Sequence, residues 1–460
     1  MKRKAAAILA VLTLVLALAG CSDRKAADRY ADAPEWTKDA VIYEVNVRQY
    51  TKEGTFKAFE PYLEGLRDMG INTLWFMPIH PISKTNRAGS LGSYYSVDDY
   101  RGVNPEFGTK EDFKELVDKA HEMGFKVMLD WVANHTGWDN AWITEHPDWY
   151  TQENGKIISP KGMGWNDVAD LNYDNADMRA EMISCMKYWV KEFDIDGFRC
   201  DYAPGVPVDF WEEARAELVK TKDLYFVAED LGWVNEKLLD NAFDTNYSSK
   251  VYETLVAISH DSKSADKLNL YLPKMPEGTF PMNYLDNHDV NSYDRTIAEA
   301  FGEEKLPEMY SLIYTLPGMP MIYSGAEIGN DKYLAFMDKD YIDWNGGIGD
   351  YRGLITYLSD VKKTHTSLYA GTYGGSFETA DLGNKNMFAF TRENESEKII
   401  CIYNLSKRAQ ENIDISSLYS GSGEVIIKGT GGNYEFGGTL SDSEYSFEPW
   451  EFFVIYESKQ

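Results

Sequence analysis

The sequence predicts an α/β fold: a closed (β/α)8 TIM barrel, a small subdomain inserted after its third strand, and a C-terminal antiparallel β-sandwich domain. Three observations predict it. Short apolar runs alternate with amphipathic helical segments from Trp36 to about Ser359, in eight strand–helix units. More than 40 residues, rich in Trp, separate the third run from the helix near Asn175. After about Tyr369 the texture changes to alternating runs punctuated by Gly, Asn and Ser. A doubly wound open sheet is the alternative; no Gly-rich dinucleotide or phosphate loop follows any run, which lowers it.

The elements follow in order. Lys2, Arg3 and Lys4 precede an apolar run, Ala5 to Leu18, that is too short to span a bilayer and fits an export signal. It ends Leu18-Ala19-Gly20-Cys21, which resembles the bacterial lipoprotein cleavage box, with Cys21 lipidated. The expected organisation is a signal peptide over 1–20, a tether over 21–35, the barrel over 36–365 with its insertion at about 131–174, and the β domain over 366–460. The first barrel strand is Val41–Val47; Thr55 then opens a helix with Phe59, Leu63 and Leu66 on one face, stopped by Gly70. Asn72–Met77 is the second strand. Thr109 and Asp112 have capping-box spacing, opening a helix with Phe113, Leu116, Val117 and Ala120 inward, ended by Gly124. Further strands are expected at Lys126–Asp130, Asp196–Cys200, Leu224–Glu229, Ala242–Asp244, Phe280–Leu285 and Met321–Ser324.

Composition excludes some functions. With 46 basic against 74 acidic side chains the net charge is −28, which repels phosphate backbones and argues against a nucleic-acid partner. Beyond Cys21 the cysteines, Cys185, Cys200 and Cys401, are scattered, giving neither a disulfide framework nor a zinc-ligand spacing. The 31 Tyr and 12 Trp could line a surface for a neutral ligand or fill cores and barrel walls.

On barrel folds the C-terminal ends of the strands face the active site. Those ends carry Asp130, Arg199, Asp201, Glu229, Asn287, His288 and Asp289. Arg199 and Asp201 are two apart, so both can point the same way, and an Arg holds a neighbouring carboxylate ionised, as suits a nucleophile. Glu229 follows the apolar run Leu224–Ala228, where desolvation and nearby carboxylates raise its pKa, as suits a general acid. Such a pair is what glycoside hydrolysis needs.

Four motifs then resemble the α-amylase family, glycoside hydrolase family 13. They are Asp130-Trp-Val-Ala-Asn134-His135, Gly197-Phe-Arg199-Cys-Asp201, Val227-Ala-Glu229 and Asn287-His288-Asp289, joined by Val168-Ala-Asp170-Leu-Asn172 in the insertion. The resemblance implies a retaining glycosidase that cleaves α-1,4-linked glucose polymers or oligomers and needs no cofactor for its chemistry. It implies Asp201 as nucleophile, Glu229 as acid/base and Asp289 as the third carboxylate, binding and distorting the sugar. Arg199 would orient Asp201; His135 and His288 would bind sugar hydroxyls; Tyr95 would stack under the ring. Asn287 would join the substrate-binding set, and Asp130 would support Arg199. Asn134 and Asp170 match two ligands of the family's calcium site. The usual Lys-His pair after the nucleophile is absent: the chain reads Tyr202-Ala203-Pro204-Gly205, so contacts on the leaving-group side must differ. The alternatives are an α-glucosidase, a maltogenic or a transglycosylating enzyme, and a non-catalytic glycan-binding accessory protein.

Overall fold

The structure, a computed structural model, describes residues 33–459 apart from 233, 420, 422, 441 and 442. The expected signal peptide, Cys21 and most of the tether lie outside the described residues. No helix among the described residues is long and apolar enough to cross a membrane.

Eight parallel strands close the barrel: β1 (Ile42–Val45), β2 (Thr73–Phe76), β3 (Lys126–Trp131), β4 (Gly197–Cys200), β5 (Tyr225–Ala228), β6 (Thr245–Tyr247), β7 (Phe280–Tyr284) and β8 (Met319–Tyr323). Each pairs with its sequence neighbours, and β8 closes on β1 with Ile42 opposite Met321. Every residue of β1, β2, β4, β5, β7 and β8 is buried, because helices cover the outside and side chains fill the inside.

Two expectations shift. The sixth strand is Thr245–Tyr247, not Ala242–Asp244. Asp244 is buried against Arg215 at 2.7 Å and accepts the Phe226 amide, so an ion pair fixes the turn ahead of a strand whose own residues are polar. The helix after Thr55 is broken into Phe56–Phe59, a tight turn over Glu60–Tyr62 and Leu63–Asp68, since Pro61 supplies no amide for a continuous helix. The helix Lys110–Glu122 has the expected capping box, with Phe113, Leu116, Val117 and Ala120 buried.

After β3 the insertion rises as an antiparallel pair, His135–Gly137 against Val168–Asp170, with a short hairpin of Gln152–Glu153 and Lys156–Ile157. The C-terminal region is a six-stranded antiparallel sheet within Ser376–Ser458 faced by a two-stranded one, Gln410–Asp414 with Glu444–Phe447. Ile400, Ile402, Phe453 and Ile455 of the large sheet pack against Ile413 and Phe447 of the small one, so the sandwich is unequal.

Candidate active site

Asp201 and Glu229 sit one residue past the ends of β4 and β5, and the ladder carries on to them. The Asp201 amide donates to Trp131 O at 3.0 Å, and the Glu229 amide to Cys200 O at 3.0 Å. Both carboxyl groups are therefore fixed to the barrel wall rather than to a loop.

Arg199 is the hub. Its guanidinium is wholly buried; Nη1 donates to Asp130 Oδ1 at 2.8 Å and to Asp201 Oδ1 at 2.9 Å, while Nη2 lies 2.6 Å from Glu229 Oε1. Nε donates to the Tyr247 hydroxyl at 3.1 Å. Asp130 also accepts from Trp75 Nε1 at 3.2 Å and from the Tyr95 hydroxyl at 3.1 Å.

One cation shared among three buried carboxylates does not hold them all ionised. Burial pushes Asp201 up to about 6 and Glu229 up to about 7, with Arg199 opposing in both; nearby acids raise them further. Arg199, expected to hold Asp201 ionised, does favour the charged form, but desolvation outweighs it and leaves Asp201 a weaker acid than an ordinary carboxyl. The order still stands, with the group beside Nη1 the stronger acid.

A second polar chain runs under the site. Glu44, buried on β1, lies 2.5 Å from Nδ1 of His288. Nε2 of His288 is 2.8 Å from the Tyr95 hydroxyl and 3.6 Å from Asp289 Oδ2. Burial works against a charged His288, but Asp289 and Glu44 together push it up to about 9. His135 goes the other way: burial lowers it to about 4, and Nδ1 meets the Asn134 amide at 3.2 Å, so it is a neutral ring.

These groups meet at a cavity of about 430 Å³. Asp201, Glu229, Asp289, Tyr95 and His135 line it; so do Trp165, Asp167, Tyr202, Tyr293 and Phe336. Asp289 is the most open of the three carboxylates, its side chain 45% exposed. Arg199, His288 and Asp130 form the floor beneath the lining. Asn287 does not reach it: the side chain is buried and its Oδ1 accepts the Val290 amide at 2.8 Å, capping the turn after β7. Of the five Trp in or beside the insertion only Trp165 faces the cavity; Trp131 is in the barrel core, and Trp142 and Trp149 pack edge to face.

Sequence reasoning missed Glu44, Tyr202, Tyr293 and Phe336 as site residues. Tyr202 has a left-handed backbone, φ 39°, unusual for a bulky residue. That turn aims its amide at Glu229 Oε2, 2.8 Å away, and sets its ring edge-on to Trp165. Phe336 lies parallel to Tyr95 at 6.1 Å.

The two residues expected to hold calcium do not by themselves make up a site for it. A calcium ion takes six to eight oxygen ligands from carboxylates, amide and main-chain carbonyls and water. Asn134 and Asp170 supply one amide and one half-buried carboxyl, and the Asn134 amide oxygen is closely packed: a Cβ on Gly205 would lie 2.6 Å from it. Among the described residues no three His, Cys, Asp or Glu gather as a metal site.

Comparison with known proteins gives a consistent picture. The α-amylase catalytic-domain family matches residues 28–350. An α-amylase of Haloarcula japonica is 26% identical over 82% of this chain; the chain spans only 57% of that protein. A Bacillus cyclomaltodextrinase is 25% identical over 84% of this chain and 76% of its own length. The crystal structure of a Lactobacillus plantarum α-amylase superposes with TM-score 0.80 at 28% identity, covering 91% of this chain and 99% of that one. That of a noncanonic maltogenic α-amylase from Thermotoga neapolitana gives 0.79 at 27%, covering 91% and 98%.

Proposed function

We propose that this chain, which belongs to the α-amylase family, hydrolyses α-1,4-glucosidic bonds of starch-derived poly- or oligosaccharides by retaining double displacement. The observation that carries the reading is the pair of carboxyl groups, Asp201 and Glu229, held by different nitrogens of one guanidinium at the wall of one cavity. Two carboxyl groups sharing one guanidinium suit the short separation of the retaining arrangement, in which the second carboxylate attacks the sugar directly.

In the first step the Asp201 carboxylate attacks the anomeric carbon while Glu229, still protonated, gives its proton to the leaving oxygen. In the second, the Glu229 carboxylate takes a proton from water, whose oxygen displaces Asp201. Asp289, open to the cavity, suits hydrogen bonding to hydroxyls of the distorted sugar, and Tyr95 suits stacking beneath it. No metal is needed for any of these transfers. Tyr202, with Trp165 edge-on to it, stands where the family's Lys-His pair would touch the leaving group, which supports oligosaccharides as substrates. A maltogenic, cyclodextrin-opening or transglycosylating activity fits the same carboxylates.

The experiment is to incubate the protein with maltoheptaose and resolve the products and their anomeric form. Mixed maltooligosaccharides of retained α-configuration are expected; glucose alone would assign an exo-glucosidase. Sugar binding without cleavage would overturn the reading. Asp201→Asn, which preserves volume, should abolish turnover while binding persists.

The N-terminal reading is part of the same proposal. The basic-then-apolar order and the box ending at Cys21 support export and a lipid anchor holding the enzyme at a bacterial membrane. Radiolabelled palmitate incorporation that is lost in Cys21→Ala would test it.

A further inference from the structure

The buried pair of Glu44 and His288 is absorbed by neither the hydrolytic step nor the core. Glu44 occupies the middle of β1, paired in register with Trp75 on β2 and Tyr323 on β8, so it faces the inside of the barrel beneath the site. Its backbone carbonyl is fixed by Ser324, whose amide and hydroxyl donate at 3.1 and 2.6 Å. Its carboxylate has one hydrogen-bonded oxygen, Oε1, against Nδ1 of His288 at 2.5 Å; Oε2 is buried without a hydrogen-bond partner among the described residues. A carboxyl group sealed in this way is costly unless its single partner carries charge.

From this arrangement we propose that Glu44 is a positioning residue, holding His288 as a doubly protonated ring that pins the Tyr95 hydroxyl beneath the sugar site. The inference rests on the glycosidase reading above for its kinetic part alone. With both ring nitrogens protonated, Nδ1–H donates to Glu44 and Nε2–H to the Tyr95 oxygen. Tyr95 is then free to donate its own proton to Asp130 Oδ2, 3.1 Å away. Each hydrogen bond has one donor and one acceptor, and the donors run outward from the ring, to Glu44 on one side and through Tyr95 to Asp130 on the other. If the ring were neutral with its proton on Nδ1, Nε2 would demand a proton from Tyr95, and the bond to Asp130 would be lost.

The groups around the ring favour the charged form on balance. Glu44 faces it from β1, Asp130 from β3, and Asp286 and Asp289 from its own segment; Arg199 on β4 opposes. Tyr247 and Tyr323 face Glu44 as neutral phenols, both held well above their ordinary value by burial. Trp75 and Phe336 cover the ring with apolar surface.

Two measurements test this. The first needs no activity: ¹⁵N shifts of the His288 ring, assigned by its loss in His288→Asn, followed against pH in the intact protein. The ring should read as imidazolium through pH 8, titrating at about 9; a neutral ring at pH 7 would overturn the proposal. The second is Glu44→Gln, whose amide oxygen still accepts from Nδ1 but carries no charge. The ring should then titrate below pH 7, and kcat/KM should fall about tenfold at pH 8, the worth of one lost hydrogen bond, and recover towards pH 5.5. Glu44→Asp, keeping the charge, should keep the imidazolium signature. A Gln variant whose pH profile is parallel to the parent's, with unchanged ring shifts, would leave Glu44 as packing alone. Failure of the glycosidase reading would show instead as no cleavage by the parent protein, with the ring shifts unaffected.

Discussion

Replacing Glu229 by Gln separates the two halves of the proposed mechanism. In the parent, the productive form has Asp201 ionised and Glu229 protonated, with the two groups at about 6 and about 7. That form is most populated between those two values, and activity should fall on both sides. The substituted amide is neutral at every pH, so the alkaline limb near 7 should vanish. The acid limb should stay near 6, because Glu229 is already mostly protonated where Asp201 titrates. Loss of the proton donor should lower kcat on maltooligosaccharides by ~10²–10⁴, or about 3–5 kcal/mol. The amide still fits between Arg199 Nη2 and the Tyr202 amide, 2.6 and 2.8 Å from the carboxyl oxygens, so the fold should hold. The assay is a pH series of initial rates on maltoheptaose and on α-glucosyl fluoride, with and without azide. Fluoride leaves without a proton, and azide needs no base, so azide should restore turnover of the fluoride and give the α-glucosyl azide. A Gln variant that keeps an alkaline limb near 7, or loses less than ~10-fold on maltoheptaose, would refute the assignment of Glu229.

Two further outcomes probe the scaffold. Asp196, buried between β3 and β4, meets His121 at 2.7 Å, Lys222 at 2.9 Å, Lys126 at 3.1 Å and the Val127 amide at 2.9 Å. Burial opposes its charge, yet His121, Lys222 and the amide outweigh it and hold it far below an ordinary carboxylate. Asp196→Asn should therefore cost about 3 kcal/mol in urea unfolding at pH 7. A depressed folded-state value gives stability that is full above the unfolded carboxyl value near ~4 and lost as pH falls through the folded one, so the gap should narrow below pH ~4. An equal gap at pH 7 and pH 3 would refute that account. For the metal question, EDTA should leave both melting temperature and activity unchanged; a fall reversed by added calcium would show that other oxygens complete a site around Asn134 and Asp170.

The barrel was legible because buried parallel strands leave continuous apolar runs, and because helix stops such as Gly124 and caps such as Thr109 sit at their ends. β6 was misread for the opposite reason. Its residues are polar, and the pairing of Asp244 with Arg215 that stabilises its entry spans 29 residues of sequence, beyond any local pattern. The site divides in the same way. Asp201, Glu229 and Asp289 come from strand ends, where position in the fold implies orientation, and all three line one cavity. Asn287 comes from a strand end too, but a side chain that can cap a backbone turn satisfies the nearer amide first. Phe336 and Tyr293 come from long connections after β7 and β8, where no periodicity fixes which face is inward.

Glu44 is the instructive omission. Read as an alternating strand, a Glu between Tyr43 and Val45 belongs to a solvent face. In a closed barrel neither face of a strand meets solvent, so a charged residue within β1 must have a partner inside the barrel. Among the described residues the hydrogen-bond partner of its carboxylate is His288, 244 residues away. The same argument bears on the acidity of the site itself. Six acids, Glu44, Asp130, Asp201, Glu229, Asp286 and Asp289, crowd the barrel mouth against the two cations Arg199 and His288. Were His288 neutral, Asp130 would lose one of the two cations that lower it, and the Tyr95 proton would turn from Asp130 to the ring. Charge on a histidine that never touches the scissile bond is then a condition for the order of hydrogen bonds beneath the nucleophile.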